Sequence, residues 1–260
     1  MKFVNNKKSY LENNFIEKDI QATLLPLTSI ENIFFQSKFS IRNNFIHPQT
    51  KTYFVISLFF IIICIVSYFL HLKKNINFLH KDIVLYSTVL FNFFFFGGGL
   101  ITSYIFNILE TKSHVKIIIK IQSVHSFLKI HQGNGLKYLR LSNWAYVLNL
   151  VLTYILLIYI HGYYIPSKMR IYQFFYLLSL IYFDVNIIYA MKILQLIGLY
   201  FRLWITEVTK RCLASGNPNF YYKNMFKAYL DLIEAFEISK SVFQVTVSNK
   251  TIHEAMYCHH

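Results

Sequence analysis

From Thr52 to Leu72 the chain contains no Asp, Glu, Lys or Arg, and its centre reads Val-Ile-Ser-Leu-Phe-Phe-Ile-Ile-Ile-Cys-Ile-Val. A helix rises 1.5 Å per residue, so about 20 such residues cross a hydrocarbon core of about 30 Å. Ile83 to Leu109 is equally free of those four residue types and carries Phe93 to Phe96 followed by Gly97, Gly98 and Gly99. A third stretch runs from Leu141 to Ser167, with the span proper near Trp144 to Ile160, and a fourth from Ile171 to Met191 is interrupted only by Asp184. These stretches are too long for strands and too uniformly apolar for the helices of a soluble core. The expected fold class is therefore all-α: a polytopic membrane protein with about four transmembrane helices and cytoplasmic helical extensions.

Charge supplies the orientation. Only 15% of the 260 residues are charged, against about 25% in average soluble domains, yet the formal net charge is +14. A basic chain raises the question of nucleic acid. Here the Lys and Arg residues gather beside the uncharged stretches, as they do at the cytoplasmic margins of spans, so the expected partner is the lipid bilayer and not nucleic acid. With the N-terminus inside, 21 basic residues face the cytoplasm and 5 face outward. A cytoplasmic N-terminus follows from the positive-inside rule. The corresponding division is residues 1–51 as a cytoplasmic N-terminal segment and 52–191 as a four-span region that includes a cytoplasmic loop at 110–141. Residues 192–260 form a cytoplasmic helical region leading toward a fifth span, hinted at by Val242 to Val247. Ile193, Ile197, Tyr200, Phe201, Trp204, Ile205 and Val208 recur at helical spacing and extend the fourth helix below the bilayer. The turn signal at Ala214 to Asn219 ends it, and a second amphipathic helix carries Phe226, Tyr229, Leu230, Ile233, Phe236 and Phe243. Glu110 to Ile130 joins the second span to a basic amphipathic segment. Such helices lie on the inner leaflet or pack as a cytoplasmic bundle, and the shared pattern favours the bundle.

Enzyme chemistry leaves no trace. There is no phosphate-binding glycine loop, nucleophile elbow or H-E-x-x-H helix, so neither an enzyme nor a cofactor is expected. Cys64, Cys212 and Cys258 form neither a disulfide framework nor a zinc pattern, and Cys258, His259 and His260 read as a tail and not as metal ligands. No cleavable signal peptide is expected, because the first fifty residues hold no apolar core of the required length. Gly97 to Gly99 reads as a kink or a close helix contact. The sequon at Asn249-Lys250-Thr251 falls on the cytoplasmic side and is discounted on that ground. Asp184 is the one acidic residue inside a span. A carboxylate in hydrocarbon must be neutralised, paired or turned to water. It serves either a ligand pocket or helix packing, in the second case paired with Lys192 or a polar residue such as Asn92 or Asn149.

The segments, read in order, resemble the insect gustatory receptor family of the insect chemoreceptor superfamily. Asp19-Ile20-Gln21-Ala22-Thr23-Leu24-Leu25-Pro26-Leu27-Thr28-Ser29-Ile30, then Phe34-Phe35, is similar to the family's cytoplasmic opening segment with its Pro-Leu and following aromatic residue. Glu110 to Ile130 is similar to the variable helix after the second span. Leu196-Ile197-Gly198-Leu199-Tyr200-Phe201-Arg202-Leu203-Trp204 resembles the segment that runs from the fourth span into an Arg-Phe-x-x-Leu-Asn helix, with the order altered and the Asn missing. Tyr229-Leu230-Asp231-Leu232 through Val242-Phe243 resembles the helix leading into the fifth span.

The resemblance implies a taste chemoreceptor: a multi-pass plasma-membrane protein and a subunit of a ligand-gated cation channel, tetrameric in the full-length family and homo- or hetero-oligomeric. Small-molecule tastants would open it. The implied ligand pocket lies among the spans toward the outer face, where Tyr86, Asn92, Tyr154, Tyr159, Tyr172, Gln173 and Tyr176 are the candidates. Aromatic and amide side chains suit neutral polar ligands, and each of these residues also suits packing or interfacial anchoring. Family members have seven spans, the last with a Thr-Tyr, five apolar residues and Gln-Phe. The sequence ends at His260, where a fifth span is expected to begin, so an incomplete chain lacking the pore helix is the expectation. An odorant receptor would keep the topology and change the ligand. A small multispan transporter or membrane enzyme would place several ionisable residues in its spans, where here only Asp184 qualifies.

Overall fold

The long uncharged stretches form helices, in which backbone N–H and C=O groups bond within the segment. The computed structural model describes residues 14–79, 83–128, 135–164, 171–213 and 219–257. Within its helices the side chains of 74–79, 83–85, 89, 92, 161–162, 164, 171–172, 211–213, 219–221 and 245–257 lie outside that description. The fold is nearly all helical. In chain order the elements are α1 (Lys18–Ile33), β1 (Phe39–Arg42), β2 (Phe45–Pro48), α2 (Lys51–Leu79), α3 (Ile83–Leu109), α4 (Thr111–Leu128), α5 (Gly135–Tyr164), α6 (Ile171–Leu213) and α7 (Asn219–Tyr257).

Four helices are long and apolar enough to cross a membrane, over Lys51–Lys73, Tyr86–Leu109, Gly135–Ile160 and Gln173–Lys210. α5 begins at Gly135, one and a half turns earlier than the uncharged stretch, so Lys137 and Arg140 ride on its first turns. α6 is a single helix of 43 residues, about 65 Å long and thus about twice a hydrocarbon core. Its second half is the expected continuation of the fourth helix. α2 packs on α3 and α6, and α5 packs on α6. Of the three consecutive glycines only Gly99 marks a close approach: a Cβ there would lie 3.1 Å from Phe183 Cζ on α6, whereas Gly97 and Gly98 face open space.

The remaining elements form a layer at one end. α4 packs on α7 and α6, and α1 packs on α5 and α6, which realises the bundle alternative. Pro26 lies inside α1 and cannot donate to the Ala22 carbonyl. One residue on, the Thr23 carbonyl accepts from Asn143 Nδ2 of α5 at 2.7 Å, tying α1 to the apolar helices. Val242 and Phe243 are buried, with the Phe243 ring against His114 and Tyr189.

The antiparallel hairpin β1–β2 was not an expectation. Arg42 pairs with Phe45, leaving Asn43 and Asn44 as a two-residue turn with φ of 54° and 66°. Asn tolerates this left-handed region better than most residues, and two positive φ values match the right-handed twist of the strands. The signal was present as Phe39-Ser-Ile-Arg, Asn-Asn, Phe-Ile-His-Pro. Ile16 N–H donates to the Asn44 carbonyl and Ile46 N–H to the Asn14 carbonyl, so the residues before α1 lie against the hairpin.

Candidate functional site

Two polar or aromatic clusters stand out. The first joins α2 to the start of α6. Tyr68 and His71 are one turn apart on α2, and Tyr176 projects from α6 to stack on both. Its centroid lies 5.0 Å from the Tyr68 ring and 4.8 Å from the His71 ring, with interplanar angles of 15° and 7°. Phe93 and Phe96 of α3 close on Tyr68 at 5.4 and 5.1 Å. Gln173 lies one turn before Tyr176 and is buried. The arrangement offers flat π-faces, a phenol, an imidazole and an amide, groups that hold a small neutral polar molecule by stacking and hydrogen bonds.

The expected ligand-binding residues separate into three groups. Tyr176 lies in this cluster with Gln173 buried one turn before it, and Tyr86 is half-buried on α3. Asn92 and Tyr172 lie on α3 and α6 with side chains outside the described residues. Tyr154 and Tyr159 do not join the cluster. Tyr159 stands 66% exposed on the outer face of α5, stacked on Tyr163 at 6.3 Å. Tyr154 is buried and donates its hydroxyl to Asp184 Oδ2 at 2.8 Å. That bond gives Asp184 a polar partner other than Lys192 or Asn149, while the side chain of Asn92 lies outside the described residues. Lys192 is about 12 Å further along the helix and donates to Ser142 Oγ and Gln195 Oε1, with its ammonium 3.7 Å from the Tyr146 ring centroid. Asn149 is exposed. Tyr154 lies on the seam Leu136, Asn143, Val147, Leu150 that faces inward, and a phenol is long enough to reach the neighbouring helix. Tyr68 and His71 were overlooked, although their three-residue spacing places them on one helix face.

The second cluster sits where the end layer meets the apolar helices. Glu31 of α1 is fully buried and Lys38 is 3% exposed, and their side chains pair at 2.8 Å. Lys38 Nζ also donates to Asn186 Oδ1 of α6 at 2.8 Å and to the Gln36 carbonyl at 3.3 Å, and lies 4.8 Å from the Tyr189 ring. His114 of α4 meets the Tyr189 hydroxyl at 3.5 Å. A small cleft beside Lys38 is lined by Ser103, Asn107, Glu110, His114, Asn186 and Phe243. Burial pushes the Glu31 carboxyl up, with Lys38 opposing. Burial, with the Lys38 charge nearby, holds His114 well below the usual histidine value.

No protein-family model, curated protein or solved structure matches the chain. Among the described residues no group of His, Cys, Asp and Glu is placed to hold a metal ion. A third polar group, where Glu17 accepts from Gln122 Nε2 and Ser126 Oγ beside His125, joins the start of α1 to α4, and His125 Nδ1 meets the Tyr200 hydroxyl at 2.7 Å. The role of that group is to fasten α1, α4 and α6 to one another.

Proposed function

We propose that the chain is a multi-pass plasma-membrane protein of gustatory-receptor type, a subunit of a tastant-gated cation channel. In this reading α2, α3, α5 and α6 cross the bilayer and α1, α4 and α7 lie in the cytoplasm. The observation that carries the membrane part is the outer face of α5. Tyr138, Leu141, Leu148, Leu152, Ile155, Leu156 and Tyr159 form an unbroken exposed stripe, with Tyr138 at 71% and Leu152 at 64%. Such a stripe is a liability in water and suits lipid. Tyrosines end it on both sides, where phenols meet headgroups. From Tyr138 to Tyr159 the helix rises about 32 Å, close to the thickness of a hydrocarbon core.

A second observation supports the orientation. Alternating crossings put the segment before the first span, the loop after the second and the region after the fourth on the same side. Those are the segments that form α1, α4 and the α6–α7 end, and they pack on one another. The basic residues concentrate there too. The receptor part rests on the sequence resemblance, and the Tyr68–His71–Tyr176–Gln173 cluster is its tastant site. α7 leaves Phe226, Leu230 and Phe236 exposed beyond the apolar helices, a surface for the oligomeric contacts such a subunit needs.

Two experiments test this. A tag before Met1 is accessible only after permeabilisation, whereas one at Ser167 is accessible on intact cells; surface labelling of the N-terminal tag sinks the topology. For function, co-expression with a seven-span receptor in a voltage-clamped cell gives a tastant-dependent cation current altered by Tyr176→Ala. Expressed alone, the chain passes no such current. Asp184 is the only charged residue in 52–72, 86–109, 141–160 and 173–191, and Tyr154 holds it, so those segments lack the polar lining a conducting path requires. Currents indifferent to the chain and to Tyr176→Ala across a broad tastant panel would reject the receptor reading.

A further inference from the structure

From Lys112 to Phe183 the chain carries eight Lys or Arg and no Asp or Glu. Two of these cations borrow carboxylates from elsewhere: Lys116 and Lys120 on α4 pair with Glu234 and Asp231 on α7. Lys137 and Arg140, on the first turns of α5, are exposed and form no ion pair or hydrogen bond with any described residue. Their surroundings are apolar. Tyr138 is 71% exposed, Leu141 67% and Trp144 39%. Lys137, Arg140, Leu141 and Trp144 are spaced i, i+3, i+4 and i+7, so they share one helix face. Along that face the two cations come first, the apolar side chains follow one turn deeper, and Leu148 continues the line.

We propose that this face of α5 binds an anionic phospholipid. The phosphate sits between Lys137 and Arg140, and an acyl chain runs along Leu141, Trp144 and Leu148. The order of groups on the helix repeats the order of groups in the lipid: negative head, interface, hydrocarbon. Guanidinium and ammonium donors recognise phosphate oxygens directly, and Trp144, one turn deeper than Arg140, offers a broad apolar face to the acyl chain. No acidic side chain between Lys112 and Phe183 competes with the phosphate. The inference rests on the membrane reading and goes beyond it, because lipid-facing helices in general discriminate little between headgroups.

The test uses the two tryptophans of the chain. Trp204→Phe leaves Trp144 as the sole indole in the full-length protein, reconstituted in phosphatidylcholine bilayers. Brominated phosphatidylserine and brominated phosphatidylcholine are then compared as quenchers of Trp144 fluorescence. The expected result is a phosphatidylserine preference of about 25-fold, about fivefold for each cation, as a polybasic contribution of about 1 kcal/mol per residue implies. Lys137→Gln with Arg140→Gln abolishes the preference while quenching by the zwitterionic lipid persists, which shows that the variant has inserted. Arg140→Lys keeps most of the preference, and Lys223→Gln with Lys227→Gln on α7 leaves it intact. Equal quenching by the two lipids in the parent protein overturns the site but not the membrane reading, and so does a preference that survives the double substitution. Absence of quenching by either lipid overturns both.

Discussion

The two ends of α6 live in different chemical worlds. Its first half packs against α2 through rings: Tyr176 on Tyr68 and His71, and Phe183 on Phe96. Its acidic group, Asp184, finds one phenol. From Asn186 onward the same helix makes polar bonds, to the end layer at Lys38 through Asn186 and at His125 through Tyr200, and to Ser142 at the start of α5 through Lys192. Packing of apolar side chains is tolerant of substitution, whereas a buried charge requires its particular partner. The apolar half should therefore absorb mutations that the polar half does not.

The sharpest way to break that contrast is at Lys38. Lys38→Ala leaves the fully buried Glu31 without its counter-ion, and removing one partner of a buried pair costs about 3–5 kcal/mol. Thermal unfolding of the purified protein should show the loss. Lys38→Met combined with Glu31→Leu should recover most of it, because it removes both charges together. A Lys38→Ala protein as stable as the parent would mean that the pair contributes nothing to holding α1 and the hairpin on α6.

Asp184 sets a smaller test in the apolar half. Asp184→Asn keeps an acceptor for the Tyr154 hydroxyl and should fold normally. Asp184→Leu strands that hydroxyl, which costs about 1–3 kcal/mol, and should lower the yield of folded protein. Tyr154→Phe should be worse than Asp184→Asn, since it removes the hydroxyl that donates to the carboxylate. If Asp184→Leu and Tyr154→Phe both fold normally and only a tastant response changes, Asp184 belongs to a ligand site and not to packing.

How much of this was legible in the sequence follows from the same contrast. Apolar helices announce themselves by length, because about 20 residues without charge can be read without any knowledge of packing, and all four lie over the expected stretches, with α5 starting earlier at Gly135 and the apolar part of α6 reaching Lys210. The continuation of α6 was readable from Ile193 to Val208 at helical spacing. The end layer was readable only as amphipathic segments, because its contacts join residues far apart in the chain: Glu17 with Gln122, Thr23 with Asn143, Lys38 with Asn186. Lys38 looked like one more basic residue before a span, and nothing local marks it as buried. Asp184 was expected to pair with Lys192 or with a polar residue; helix geometry puts Lys192 two turns away, and a neighbouring helix supplies a phenol that the local sequence did not mark. At the aromatic cluster Gln173 and Tyr176 were within reach, while Tyr68 and His71 needed the packing of α2 on α6 to gain meaning.

Protonation gives the next comparison, between two groups of the end layer. Burial, with the Lys38 charge nearby, holds the folded-state value of His114 well below the ordinary histidine value of about 6.5. An unfolded chain thus binds a proton there before the folded one does, and the stability linked to His114 is present above about pH 6.5 and lost as pH falls below it. Glu31 runs the other way. Its raised value makes the folded state bind a proton more readily than the unfolded chain, so its own contribution declines as pH rises from about 4.5. On titration from neutral pH into mild acid at fixed ionic strength, melting temperatures should fall as pH drops below about 6.5, and His114→Gln should flatten that slope. A parent slope unchanged by His114→Gln would show that imidazole to be irrelevant to acid lability.

The smallest effect is expected where the end layer meets water. Glu234 on α7 takes hydrogen bonds from Lys116 and Lys120 of α4, which hold its carboxyl down at about 2, and Asp231 accepts from Lys120 and Ser123. The depressed value suggests a strong bond, but Glu234 is 40% exposed, and water and salt screen an ion pair in that position. Glu234→Gln should therefore cost below about 1 kcal/mol at low salt, and the difference from the parent should shrink further as ionic strength rises and the screening length falls below about 10 Å. Asp231 is buried and bonds to two side chains of α4, so Asp231→Asn should cost more and respond less to salt. Unfolding curves for the two variants at low and high salt decide the matter. Equal costs with equal salt dependence would mean that the α4–α7 contact is held by Val115, Ile118, Leu232 and their apolar neighbours, with its ion pairs as bystanders. A Glu234→Gln loss as large as that of Lys38→Ala would erase the distinction between buried and screened charge on which the contrast within this molecule depends.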